Sequence, residues 1–273
     1  MRLPDFIGVG PPRTGTTWLD RILRNHIGLP KGLKETQFFV WRYRLGLRWY
    51  ANHFRDYPLS YPSGEFGPTY FPVAEARERI RSHLPNCKVI ITLREPVERF
   101  YSHYKMWRKI GVVKASFAEV AENHEELIAH TRYAENVKAW RELCGTERTL
   151  VLIHEDVGTD RQGYVNRLCD FIGAPSLDLK SVTVERELAA HVERAPKSRR
   201  NARRALRLRD LLEERGYARL LELLDPFFEF CMGRGEVFPP LDPALKERLR
   251  ERFRPEIDQL EILLDRSLAD WRN

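Results

Sequence analysis

Cysteine is scarce in this sequence, and long apolar runs are missing. The four cysteines, Cys87, Cys144, Cys169 and Cys231, are far apart, and none belongs to a Cys-x-x-Cys pair. That spacing argues against both a disulfide framework and a zinc site, and leaves reduced thiols. Apolar stretches such as FIGVG and TLVLI are short and broken by charge, so no segment is expected to span a bilayer as a helix. The start, Met1-Arg-Leu-Pro-Asp, runs almost directly into a strand-like stretch, without the apolar core and small-residue cleavage site of a secretory signal. A cytoplasmic protein is therefore the expectation. Internal repeats and low-complexity tracts are absent too, which excludes a solenoid, and no set of metal ligands is evident.

What is present fits a globular protein. With 42% hydrophobic and 31% charged residues over 273 positions, a fibrous or disordered chain is excluded and a sizeable core can form. The net charge of +7 favours anionic partners, and nucleotide, acidic glycan, anionic lipid and nucleic acid all remain open on that ground.

Strand-like runs at Phe6–Val9, Val89–Leu93 and Leu150–Ile153 alternate with helix-period stretches at Thr17–Asn25, Val73–His83 and Tyr164–Phe171. The alternation predicts an α/β domain with a mainly parallel sheet. Residues 40–72 are rich in aromatics, Pro and Gly and read as an extended, partly irregular insertion. From about residue 200 the chain reads as helical, ending in a 3.6-residue period across Pro243–Leu264. One domain, 1–273, with a helical C-terminal part is expected.

Gly10-Pro-Pro-Arg-Thr-Gly-Thr-Thr17 follows a strand and opens a helix. Its spacing is that of a phosphate-binding loop, with Thr16 where the lysine of a nucleoside-triphosphate enzyme would stand. Backbone N–H groups and a helix N-terminus still suit an anion, and Arg13 supplies the charge earlier in the loop. The missing lysine argues against ordinary ATP or GTP hydrolysis. Pro12-Arg-Thr-Gly-Thr-Thr-Trp-Leu19 closely resembles the P-K-S-G-T-T-W-L signature of sulfotransferases that use 3′-phosphoadenosine 5′-phosphosulfate (PAPS). The resemblance implies a P-loop-like, three-layer fold. It also implies that Arg13, Thr14, Gly15, Thr16, Thr17 and Trp18 hold the 5′-phosphosulfate. Arg13 replaces the family lysine: it can stabilise the leaving oxygen's charge but is a much poorer proton donor.

A second signature follows. Leu93-Arg-Glu-Pro-Val-Glu-Arg-Phe-Tyr-Ser102 resembles L-R-[ND]-P-x-[DE]-R-x-x-S, in which the arginine and serine hold the 3′-phosphate, here Arg94 and Ser102. An arginine at the C-terminal end of a strand sits where open α/β sheets bind ligands and can grip phosphate with two donors. Gly64-Glu-Phe-Gly-Pro-Thr-Tyr-Phe71 resembles a further family segment, as do the late strand Leu150–Asp156 and the closing helix Leu241–Trp271.

Sulfuryl transfer needs in-line placement, a base for the acceptor proton and cations for the leaving charge, and it needs no metal. Lys34-Glu-Thr-Gln-Phe-Phe39 resembles the K-E-P-H-F-F segment of the glycan branch, where the glutamate is the base. Glu35 is thus the candidate base, with Lys34 near the acceptor or the sulfuryl oxygens. His83, in His-Leu-Pro85, competes through a similar context in the small-molecule branch.

Arg194–Arg209 carries eight Arg or Lys and no acid. A solvated helix face, a basic segment closing on the cofactor through Lys197, Arg199 or Arg200, and a platform for an acidic acceptor or anionic membrane all fit. A nucleic-acid patch lacks any accompanying motif. The acceptor is a small-molecule, glycan or lipid hydroxyl, and Trp41, Tyr43, Trp49, Tyr50 and Tyr61 could stack on it or belong to the core. A P-loop kinase and a non-catalytic anion- or membrane-binding scaffold are the rival readings.

Overall fold

Three short apolar runs and a Gly-Glu-Phe segment form the sheet of the computed structural model, which describes residues 1–182, 194–232 and 234–272. They are β1 (Phe6–Gly8), β2 (Gly64–Phe66), β3 (Lys88–Leu93) and β4 (Thr149–Ile153), in the order β2-β1-β3-β4. Every pairing is parallel, with Ile7 opposite both Glu65 and Val89, and Ile91 opposite Val151. The helices are α1 (Thr16–Leu23), α2 (Gly46–Asn52), α3 (Ala74–His83), α4 (Pro96–Lys109), α5 (Phe117–Asn123), α6 (Glu125–Ala129), α7 (Tyr133–Cys144), α8 (Asp156–Thr159), α9 (Arg161–Ile172), α10 (Arg199–Glu214), α11 (Ala218–Met232) and α12 (Pro243–Leu264).

The described residues divide into two compact units: Met1–Glu95 with Arg132–Glu185 and Pro255–Asn273, and Pro96–Thr131 with Arg186–Arg254. The first holds the sheet. A strand sends alternate side chains to opposite faces, and both faces are covered. Ile7, Val89, Ile91 and Ile153 join one core with α3, α7, Trp140 and Trp271. Phe6, Phe66, Ile90 and Leu152 join another with Trp18, Ile22, Tyr164 and Leu168 of α1 and α9. Burial on both faces is why the strands read as near-continuous apolar runs. The three layers expected from the sequence are there.

The second unit is helical. Phe100, Tyr104, Phe117, Leu127 and Phe253 form one cluster, and Ala202, Ala205, Leu221 and Phe228 form another.

Residues 40–72 differ from the expectation. They hold most of a π-helical turn (Phe38–Arg42), two 3-10 turns (Tyr43–Leu45 and Pro68–Tyr70), α2 and the strand β2. The reason is aromatic packing: Phe38, Phe39, Tyr50, Phe54, Tyr70 and Phe71 are buried together, with Phe38 stacked on Tyr50 at 4.6 Å between ring centroids. Tyr50 is therefore core, not an acceptor platform, whereas Trp41 and Tyr61 are exposed. All four cysteines are free thiols.

Candidate active site

Because the four strands run parallel, their C-terminal ends share one edge. The loop before α1, the turn holding Thr69, and Arg94 and His154 all leave the sheet there. Ligands bind at this edge in open α/β sheets.

The loop after β1 is built for close approach. Arg13 has φ 76° and Gly15 φ 93°, so the backbone turns through left-handed conformations just ahead of α1. Thr14 is buried; its hydroxyl lies 2.8 Å from the Pro11 carbonyl and 2.6 Å from the Thr92 hydroxyl on β3. A side chain at Gly10 would lie 2.4 Å from the Thr92 backbone nitrogen, so only glycine fits beside the strand. Thr16 and Thr17 open α1, whose first amides have no partner within the helix. The loop thus presents N–H groups, a helix N-terminus and one arginine, a set that fits a phosphate or sulfate. Trp18 turns inward, packing on Tyr164 at 6.1 Å in the core, so its side chain serves packing rather than an anion.

Glu35 is held from both sides. Lys34 Nζ donates to its Oε1 at 2.6 Å, and Gln37 Nε2 donates to its Oε2 at 2.7 Å. The Gln37 amide oxygen in turn accepts from the Thr69 hydroxyl. Between them, Thr36 is anchored by Glu65 of β2, which accepts from the Thr36 amide at 3.0 Å and its hydroxyl at 2.6 Å. The other Glu65 oxygen accepts from Tyr50 at 2.8 Å and Tyr70 at 3.1 Å. Arg42, also buried, donates to the Thr36 carbonyl at 3.0 Å. Burial pushes the Glu65 carboxyl above its ordinary range, against the pull of the donors around it. Gln37 has φ 53°, so two of the three positive-φ residues other than glycine among the described residues, Arg13 and Gln37, lie in this candidate site. Such backbone persists only where its surroundings hold it.

Arg94 follows β3 directly, and its carbonyl accepts from the Tyr133 hydroxyl at 2.9 Å. The next amide, Glu95, donates to Glu155 at 2.9 Å, which fixes the strand end. His154 follows β4; its ring lies against Gly15, and its Nδ1 is buried without a hydrogen-bond partner. Burial, with the Arg94 guanidinium, lowers its pKa, so the ring is neutral at pH 7. The only trace of it in the sequence is its position at a strand's C-terminal end.

His83 lies elsewhere. It ends α3, ahead of the N-terminus of β3, and so belongs to the opposite edge of the sheet, where its Nε2 lies 2.6 Å from the Tyr43 hydroxyl. Ser102, Lys197 and Arg199 belong to the second unit. Ser102 is buried on α4, and Arg199 donates to the carbonyls of Gly111 and Val112 at 2.7 and 3.1 Å. Among the described residues no group of three or more His, Cys, Asp or Glu is placed to hold a metal ion.

The family model described as a sulfotransferase domain matches residues 3–210. The membrane-associated sulfotransferase kil1 of Dictyostelium discoideum is 33% identical over 156 residues, 52% of this chain and 33% of that protein. The human heparan sulfate glucosamine 3-O-sulfotransferase 6 is 26% identical over 264 residues, 93% of this chain and 70% of that protein. A crystal structure of a sulfotransferase from Alicyclobacillus acidocaldarius superposes over 100% of both chains, with a TM-score of 0.71 at 21% identity, which shows a shared fold. The chain spans a third or less of several curated relatives, such as 22% of the human bifunctional heparan sulfate N-deacetylase/N-sulfotransferase 3.

Proposed function

The chain belongs to the sulfotransferase family, and on that premise we propose that it moves a sulfuryl group from PAPS to a hydroxyl acceptor, with Glu35 as base. One observation carries the reading: the Arg13 loop, Arg94 and the Thr69 end of the Glu35–Gln37–Thr69 string leave the same edge of the sheet. In the transfer, the bond from sulfur to the bridging phosphate oxygen breaks while a bond from the acceptor oxygen to sulfur forms. Glu35 takes the acceptor proton. Arg13 and the amides of the loop steady the charge left on the phosphate oxygen of the departing 3′-phosphoadenosine 5′-phosphate (PAP). Lys34, 2.6 Å from Glu35, places a cation beside the acceptor. Arg94 is assigned to the 3′-phosphate, for which its position at the strand end is suited.

A sugar hydroxyl is the favoured acceptor class. Support comes from the segment around Glu35 and from the heparan sulfate glucosamine 3-O-sulfotransferase among the relatives. The position of His83 at the other edge favours Glu35 over it as base.

Calorimetry with PAP and with ATP·Mg²⁺ tests the donor; tighter binding of ATP refutes the sulfotransferase reading in favour of a kinase. With labelled PAPS and an acceptor panel, Glu35→Gln should keep PAP affinity and lose at least about 100-fold in turnover. His83→Asn should be mild, and the reverse result would move the base to the histidine.

A further inference from the structure

The helical hairpin of α10 and α11 carries a surface unrelated to the transfer chemistry. The two helices pack through Ala202, Ala205 and Leu212 on one and Leu221, Phe228 and Met232 on the other. Outside that seam, apolar side chains face solvent. Leu220, Leu223, Phe227 and Phe230 of α11 are 42%, 77%, 47% and 58% exposed. Their spacing, i, i+3, i+7 and i+10, places them in one stripe along the helix. Leu208 and Leu211 of α10 and Tyr217 in the turn are exposed as well. Seven of the fourteen exposed large apolar side chains among the described residues thus fall between 208 and 230. A soluble surface rarely gathers them so closely without a partner.

The charges are sorted in the same way. Arg200, Arg203, Arg204 and Arg207 are all exposed along α10. On α11 the acids Glu222, Asp225 and Glu229 recur on a separate stripe, away from the leucines and phenylalanines. The helices are antiparallel neighbours joined by the short turn 215–217. With the packed seam fixed, helical geometry turns Arg204 and Leu208 to the same side as Leu220 and Phe227, and the acids to the other side. One side of the hairpin therefore carries the apolar stripe with Arg204, and the other the acids with Arg203, Glu229 pairing there with Lys109 of α4 at 3.0 Å.

We propose that this side docks on an anionic lipid bilayer, lying in the interface. The leucines and phenylalanines would enter the acyl boundary while the arginines meet the head groups. A polyanionic glycan would satisfy the arginines and leave the apolar stripe in water. A second copy would set like charges against one another across a two-fold axis. No described helix is long and apolar enough to cross a membrane, so the contact is peripheral. The proposal stands independently of the transfer reaction.

Co-sedimentation of the whole chain with vesicles tests it. The protein should bind vesicles of phosphatidylcholine with about 30% phosphatidylglycerol, and bind at least about tenfold less to phosphatidylcholine alone or at about 0.5 M salt. Leu223→Asp with Phe227→Asp should weaken binding about tenfold, and so should Arg204→Glu with Arg207→Glu. Circular dichroism and PAP affinity of the Leu223/Phe227 variant should match the wild type. Absence of vesicle binding overturns the proposal. So does binding indifferent to the Leu223/Phe227 pair, or a dimer in sedimentation that this pair dissociates.

Discussion

Removing the carboxyl of Glu65 should damage both the fold and the placement of Glu35, by amounts that can be worked from its partners. The side chain is fully buried and accepts from the Thr36 amide, the Thr36 hydroxyl, Tyr50 and Tyr70. In Glu65→Ala, the Thr36 and Tyr70 hydroxyls, 3.4 Å apart, can turn to one another. The Thr36 amide and the Tyr50 hydroxyl are then stranded, each at about 1–3 kcal/mol, and a small cavity adds to the loss. The expected cost is about 3–5 kcal/mol, a large part of the stability of most domains. Glu65→Gln is gentler. Its amide oxygen can serve Thr36 while its NH₂ donates to the tyrosine hydroxyls, which rotate to accept. Only the charge assistance of the bonds goes, offset by a carboxylate no longer buried, for about 1–2 kcal/mol net.

Urea unfolding gives the two costs, and turnover at saturating donor gives the effect on Glu35, the proposed base. Turnover should fall in Glu65→Gln with PAP affinity unchanged. A Glu65→Ala protein within about 0.5 kcal/mol of the wild type would refute the account. There is also a pH signature. Burial raises the folded-state pKa of Glu65 above the 4.5 of a free glutamate. The folded chain therefore binds this proton more readily than the unfolded chain, and stability falls as pH rises from 4.5 through the folded value. Glu65→Gln should lack that component.

Gly15→Ala should cost at least about 1 kcal/mol for its left-handed backbone. Its new methyl would lie 2.8 Å from His154 Nδ1, so PAP affinity should drop with it, as calorimetry would show. In the second unit, burial and the Arg99 guanidinium hold His130 near pKa 3, against 6.5 when free. The unfolded chain then binds the extra proton between those values, so stability should be lost as pH falls from 6.5 toward 3. The full effect is on the order of 5 kcal/mol, and His130→Phe should flatten that part of the urea midpoint–pH curve.

The features that local chemistry fixes were legible in the sequence. The three strands at Phe6, Lys88 and Thr149 and the loop between β1 and α1 needed only short windows, because both sheet faces are buried and the loop spacing is contiguous. What stayed hidden depends on partners far along the chain. The strand β2 holds a glycine and a glutamate in three residues, which gives no apolar run. Its glutamate is explained by Thr36, 29 residues earlier, and by the hydroxyls of Tyr50 and Tyr70. The aromatic stretch read as irregular because the rings of Phe38 and Tyr50 find one another only when α2 forms. Trp18 matched a signature, yet its side chain lies in the core. His154 carries no motif of its own, and its contact with Gly15 exists only once β1 and β4 share a sheet.

The pairing of Glu65 opposite Ile7 has a consequence for how preparations of this protein should be judged. A slip of β2 by one residue would exchange the faces of its side chains and point Glu65 away from Thr36. With three residues in the strand, such a slip would barely alter the circular dichroism or the hydrodynamic size. It would nevertheless leave Glu35, the proposed base, unanchored. Specific activity per mole of folded chain is then the sensitive gauge of correct folding, and refolded material that looks native by spectroscopy can still be misregistered at this edge.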